Sequence, residues 1–150
     1  MSLTDDGEAQ CLNRIFTDAA IKKGGLGVGD DFNYSTDGFY IALYTTDPTD
    51  TGGGAEVTGT GYLRKAIAFT AISTVTAGTN TISNTSPIEW ASIGGTWSGG
   101  TDIGYFGIHL GASGTNSGEM IAYGTITTPK PATSGDTVTI AAGAIDISFA

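Results

Sequence analysis

Two periodicities divide the chain. Between Thr4 and Lys23 the apolar positions Leu12, Ile15, Phe16 and Ala19 recur at i, i+3, i+4 and i+7, which draws one stripe along a helix. Thr4 can cap that helix, Asp5, Asp6 and Glu8 fill its first turn, and Lys22 and Lys23 precede a Gly24-Gly25 stop. From Phe39 onward the period is two. Leu63, Lys65, Ile67 and Phe69 alternate with Tyr62, Arg64, Ala66 and Ala68, and Ile145, Ile147 and Phe149 alternate with Ala144, Asp146 and Ser148. Ile103 to Leu110 is apolar on both faces and predicts a central strand, with Gly104 and Gly107 marking a bulge or a close neighbour. Phe39 to Tyr44, Met120 to Thr127, Thr137 to Ala141, and one or two strands within Thr79 to Trp90 complete the set.

This pattern predicts an all-β fold: an antiparallel β-sandwich, jelly-roll-like, of about eight strands with an N-terminal helix. Residues 1–23 are expected to form a helical arm, 24–38 a Gly-rich connector, and 39–150 the β-sandwich domain. A helix of about eighteen residues is marginal alone in water, so its stripe needs a cover, either the chain's own β domain or a neighbouring subunit.

Charge narrows the partners. Fifteen acids against six bases give a formal charge of −9, which repels phosphate backbones and anionic lipid heads, so neither nucleic acid nor membrane is an expected partner. Residues 66–150 carry only Glu89, Asp102, Glu119, Lys130, Asp136 and Asp146. The rest of that surface is Thr, Ser, Asn and Gly, which can be buried against another subunit at modest desolvation cost or simply stay solvated. Cys11 is the only cysteine, so no intrachain disulfide forms. The acidic start, Met-Ser-Leu-Thr-Asp-Asp-Gly-Glu, has no apolar run, and assembly in a cytoplasm is expected.

Reaction chemistry has few residues to draw on. His109 is the single histidine, and it stands inside the most apolar strand without the company that zinc or copper requires. Neither Ser98 in GTWSGG nor Ser113 in GASGT fits a nucleophile elbow. Asp47, Asp50 and Glu56 cluster in one loop, and Asp30, Asp31 and Asp37 in the connector, yet the spacing of a calcium-binding EF-hand is absent from both, and solvated loops are expected. No catalytic residue, cofactor or metal is therefore expected. Among the aromatics, Trp90 and Tyr123 are expected in the core. Trp97, flanked by glycines, is expected at the surface as a partner contact together with Leu12, Ile15, Phe16 and Ala19.

Two motifs carry a resemblance. The first is the order Phe39–Tyr44, Thr46-Asp47-Pro48, Gly52-Gly53-Gly54, Glu56-Val57, Gly61-Tyr62-x-Arg64 and a returning strand, which is a hairpin with a long loop. The second runs from Met120 to Lys130, then through Ser134-Gly135-Asp136-Thr137 and Ala141-Ala142-Gly143-Ala144. In this order they resemble the small tail-fibre-like and head-decoration structural proteins of tailed bacteriophages, over residues 36 to 150. The resemblance implies a non-enzymatic component of the virion, attached to the particle as a tail fibre or as a capsid decoration (cement) protein. It implies as partners the major capsid or tail proteins and copies of the chain itself, as a homo-oligomer with a trimer the expected state. The alternative is a carbohydrate-binding module for host-surface glycans, which would show exposed aromatics in a row.

Overall fold

The computed structural model describes residues 12, 15, 16, 21, 22, 31, 32, 38–71, 80–91, 93–112 and 120–148. β3 (Phe39–Tyr44) and β7 (Ile103–Leu110) are the inner strands of a four-stranded sheet of order β4-β3-β7-β8, with β4 (Lys65–Ile67) and β8 (Met120–Lys130) outside them. The sequence explains this placing. β3 and β7 are apolar on both faces and so are suited to the middle, whereas β8 alternates half-buried and exposed positions as an outer strand does.

β3 and β7 run antiparallel in unbroken register from Phe39↔Leu110 to Tyr44↔Tyr105. The β7–β8 register shifts twice, between Ile103 and Tyr105 and between Ile108 and His109. Gly104, expected at a bulge or a close approach, sits at the first shift. Gly107 is the close approach. A Cβ there would meet Met120 Sδ at 3.0 Å and the rings of His109 and Tyr44 at 3.1 Å.

Three two-stranded sheets accompany it. β6 (Ile88–Trp90) pairs with β9 (Val138–Ile140), β5 (Thr81–Ser83) with β10 (Asp146–Ser148), and β1 (Ile21–Lys22) with β2 (Asp31–Phe32). The all-β antiparallel fold expected from the period-two pattern is what the structure shows, and among the described residues eight strands follow residue 38.

Contacts gather the chain into two compact units, one of residues 1–38, 67–87 and 140–150, the other of 39–66 and 88–139, so the expected 39–150 domain contributes to both. In the first unit Leu12, Phe16, Ile67, Phe69, Ile82 and Ile145 are buried, and Phe16 meets Phe69 edge-on at 5.2 Å. Asn84 is its polar pin. The side chain donates to the carbonyls of Ser86 and Ala141 and accepts from the Ile145 N–H, and the Asn84 carbonyl accepts from Gly143. The second unit buries Ile41, Leu43, Val57, Trp90, Ile93, Trp97, Ile103, Ile108 and Ala132.

Two expectations are corrected here. Leu12, Ile15 and Phe16 are helical, but Ile21 and Lys22, expected to end the helix, belong to β1. Pairing as a strand gives their backbone groups partners, with Ile21 opposite Phe32 and Lys22 opposite Asp31. The rest of the arm and most of the connector lie outside the described residues. The alternation from Tyr62 to Phe69 also breaks. Leu63, expected on the inner face with Ile67 and Phe69, is 73% exposed, and Arg64 is buried in its place.

Candidate functional site

The exchange of Leu63 for Arg64 marks the one buried charged centre among the described residues, built where β3 passes into its long loop. The return leg of that loop runs beside β3: the Thr45 N–H donates to the Ala55 carbonyl, the Val57 N–H donates to the Leu43 carbonyl, and Tyr44 bridges Glu56. Glu56 is thereby held against the sheet. Arg64 reaches it with two parallel bonds, Nε to Oε1 at 3.0 Å and Nη2 to Oε2 at 2.8 Å, with side chains 5% and 26% exposed for Arg64 and Glu56. The Tyr62 hydroxyl donates to the same carboxylate at 3.1 Å and accepts the Leu43 N–H at 2.9 Å. Tyr44, next to it, shares a 2.8 Å hydrogen bond with His109 Nε2 across β3 and β7.

The electrostatics follow from burial around one ion pair. Burial disfavours the Arg64 charge, but the bonds and charge of Glu56 outweigh it and hold the guanidinium protonated. Burial, reinforced by the Glu56 charge, pushes the phenol of Tyr44 up and that of Tyr62 well up. His109 goes the other way: burial first and the Arg64 charge second lower it to about 4, against the pull of Glu56, so the imidazole is neutral near pH 7.

Around this clasp the remaining motif residues close turns. The Thr46 hydroxyl accepts the Ala55 N–H, Asp47 accepts the Thr49 N–H, and Pro48 is fully buried. Gly54 passes so close that a Cβ would lie 2.6 Å from Pro48 Cα and 2.7 Å from the Thr46 carbonyl oxygen. In the second motif, Asp136 accepts both the N–H and the hydroxyl of Thr133, which lowers its carboxyl below the usual range. The Gly135 and Ile93 segments bond to each other through Gly135 N–H to Ile93 carbonyl and Ile93 N–H to Asp136 carbonyl. Of the motif residues with a described polar partner, Glu56, Tyr62 and Arg64 bond to one another inside the fold, whereas Thr46, Asp47 and Asp136 close exposed turns and Tyr123 bonds to Asp50 at the surface.

The residues singled out by sequence do not converge. Leu12 and Phe16 are buried, Ile15 is half-buried, and Ala19 lies outside the described residues. Trp97, expected at the surface, is 0% exposed, which is a correction: its Nε1–H donates to the Thr60 carbonyl, Tyr62 packs edge-on at 5.3 Å, and a Cβ at Gly59 would strike the indole. The glycines around it are needed because Gly99 and Gly100, with Ser98, carry positive φ as the chain turns about the ring. Trp90 is in the core as expected, bonded to the Leu63 carbonyl. Tyr123, expected beside it, is instead 42% exposed on β8, because the alternation of this outer strand points it outward, where its hydroxyl donates to Asp50. The loop carboxylates diverge: Asp47 turns to the backbone, Asp50 to Tyr123 and Glu56 to Arg64. What sequence reasoning missed is the Glu56–Arg64 pair, whose signal was an arginine within an alternating strand pattern, eight residues after a loop glutamate.

A family model described as "Podophage GP4 fiber I protein gp80" matches residues 30–148. No curated protein and no solved structure matches the chain.

Proposed function

Because the chain belongs to the podophage GP4 fiber I protein gp80 family, a family of phage structural proteins, we propose that it is a non-enzymatic fibre component carried on the tail of a tailed-phage particle. The observation that carries this reading is the match over residues 30–148, which takes in both sequence motifs. The geometry supports it. The first motif forms an internal ion-pair clasp and the turns of both motifs are locked by hydrogen bonds, which is what a load-bearing β body requires.

Burial of both tryptophans supports a structural role over the glycan-binding one, since a sugar platform needs its aromatic faces open. The fibre component associates with other virion proteins and with copies of itself, a trimer being the arrangement that places three such bodies about one axis. Within the N-terminal stripe, burial of Leu12 and Phe16 leaves Ile15 as its partner-facing position among the described residues.

Imaging of gold-labelled chain on intact particles tests the location. Label confined to the tail is the expected result; label spread over the capsid lattice transfers the chain to the head as a cement protein.

A further inference from the structure

His109 is the only histidine of the chain, and its position gives it more to do than fill volume. It stands on β7 opposite Tyr40 of β3 and Met120 of β8, and it is 1% exposed. Its ring lies nearly parallel to that of Tyr44, with centroids 6.1 Å apart and planes at 18°. Nε2 is engaged by the Tyr44 hydroxyl, while Nδ1 is buried with no hydrogen-bond partner among the described residues. The space in which these two rings and the Met120 thioether meet exists because residue 107 is glycine.

A neutral imidazole suits that setting because it has a single N–H to place. An imidazolium has two, and a positive charge as well. The groups that face it decide the outcome. Arg64 repels an added charge, and Glu56 attracts it but is already held by both bonds of Arg64 and by Tyr62. The two inner-sheet neighbours from β3, Tyr44 and Tyr40, are phenols, and β8 offers uncharged Met120 and Tyr123, the latter bonded to Asp50. A protonated His109 thus has no ready acceptor for its second N–H and a guanidinium for a neighbour. The charge it would bury, with its unpartnered Nδ1–H, lies at the root of the 45–64 loop, where Tyr44, which holds Nε2, also bridges Glu56.

We propose that the Tyr44–His109 pair is an acid-sensitive latch, in which protonation of the buried imidazole loosens the root of the 45–64 loop from the four-stranded sheet. Near neutrality the latch is shut and the loop is part of a rigid body. In acid the loop opens while the sheet stays paired, because β3 and β7 keep their own backbone bonds.

The single histidine makes the test direct, since the labelled full chain shows one imidazole in its NMR spectrum. Its resonances are expected to hold their neutral positions down to about pH 5. They should then move with one midpoint alongside a fall of about tenfold or more in the exchange protection of the Val57 amide, while the Ile108 amide stays protected. His109→Gln, which does not titrate, should lose this pH dependence. An imidazole that titrates near its ordinary value with the loop unmoved overturns the latch, as does acid opening unchanged in His109→Gln. If that variant does not fold, the wild-type data decide alone: separate midpoints for imidazole and loop, or loss of Ile108 protection together with Val57, also overturn it.

Discussion

Glu56 and Arg64 are eight residues apart in sequence and meet in a bidentate bond beneath an exposed Leu63, so the value of each residue depends on the other. Removing one partner leaves the other charge partly desolvated. Glu56→Gln is expected to lower unfolding free energy by about 2 kcal/mol, below the cost of breaking a fully buried pair because Glu56 keeps some exposure. Urea unfolding followed by tryptophan fluorescence measures it. His109 adds a pH term with a definite sign. Its folded pKa is lowered to about 4 from 6.5, so the unfolded chain binds the extra proton between those values, and stability is complete above the upper one and falls as pH drops toward the lower. The slope is about 1.4 kcal/mol per pH unit, or about 3 kcal/mol across the window, and His109→Gln should flatten it in urea midpoints measured along a pH series. At this scale the sequence was readable for type and unreadable for pairing. The motif that carries Glu56, Tyr62 and Arg64 was visible, but which of them meet depends on the path of a loop. Trp97 was misread because glycines that let the backbone turn around an indole look the same in sequence as glycines of an open loop.

The strands were the most legible elements. β7 and β8 follow directly from an apolar run and from an alternating one, and Ile145 and Ile147 alternate with exposed neighbours in and beside β10 as the pattern requires. Alternation failed before Lys65, where the bond of Arg64 to Glu56 outweighs the apolar preference of Leu63 and reverses which residue turns inward. Within the long loop, neighbouring glycines have unequal roles. Gly54→Ala would drive a methyl into the backbone at Pro48 and Thr46, which cannot give way as a side chain can, and should cost about 2 kcal/mol. Gly53→Ala meets only the Thr51 hydroxyl at 3.6 Å and should be close to neutral. Thermal melts of the two variants side by side check this, and equal melting temperatures would contradict the tight-turn account. Asn84→Ala in the other unit removes three side-chain bonds at a buried position and is expected to cost about 3 kcal/mol, read as lost exchange protection at Ile145 and Gly143.

For the whole molecule, the N-terminal stripe matters as core before it matters as a surface. Phe16 is buried against Phe69, so Phe16→Ala should lower unfolding free energy by about 3 kcal/mol and the melting temperature by roughly 10 °C in a chain of this size. A change of less than a degree would mean that the stripe is held by a partner and not by its own unit. The fold class was legible because period two persists over most of the chain; the grouping into two units was not, since strands distant in sequence, such as β5 and β10, pair only after long connections close. The account as a whole holds that the Glu56–Arg64 clasp, within the residues matched by this phage fibre family, is an internal fastener of a β body carried on the particle. Side-chain-resolved electron cryo-microscopy of the intact virion tests it most directly. It should show the chain on the tail with Arg64 still on Glu56 and Tyr44 still on His109; Glu56 or Arg64 turned outward onto a neighbouring virion protein would contradict it.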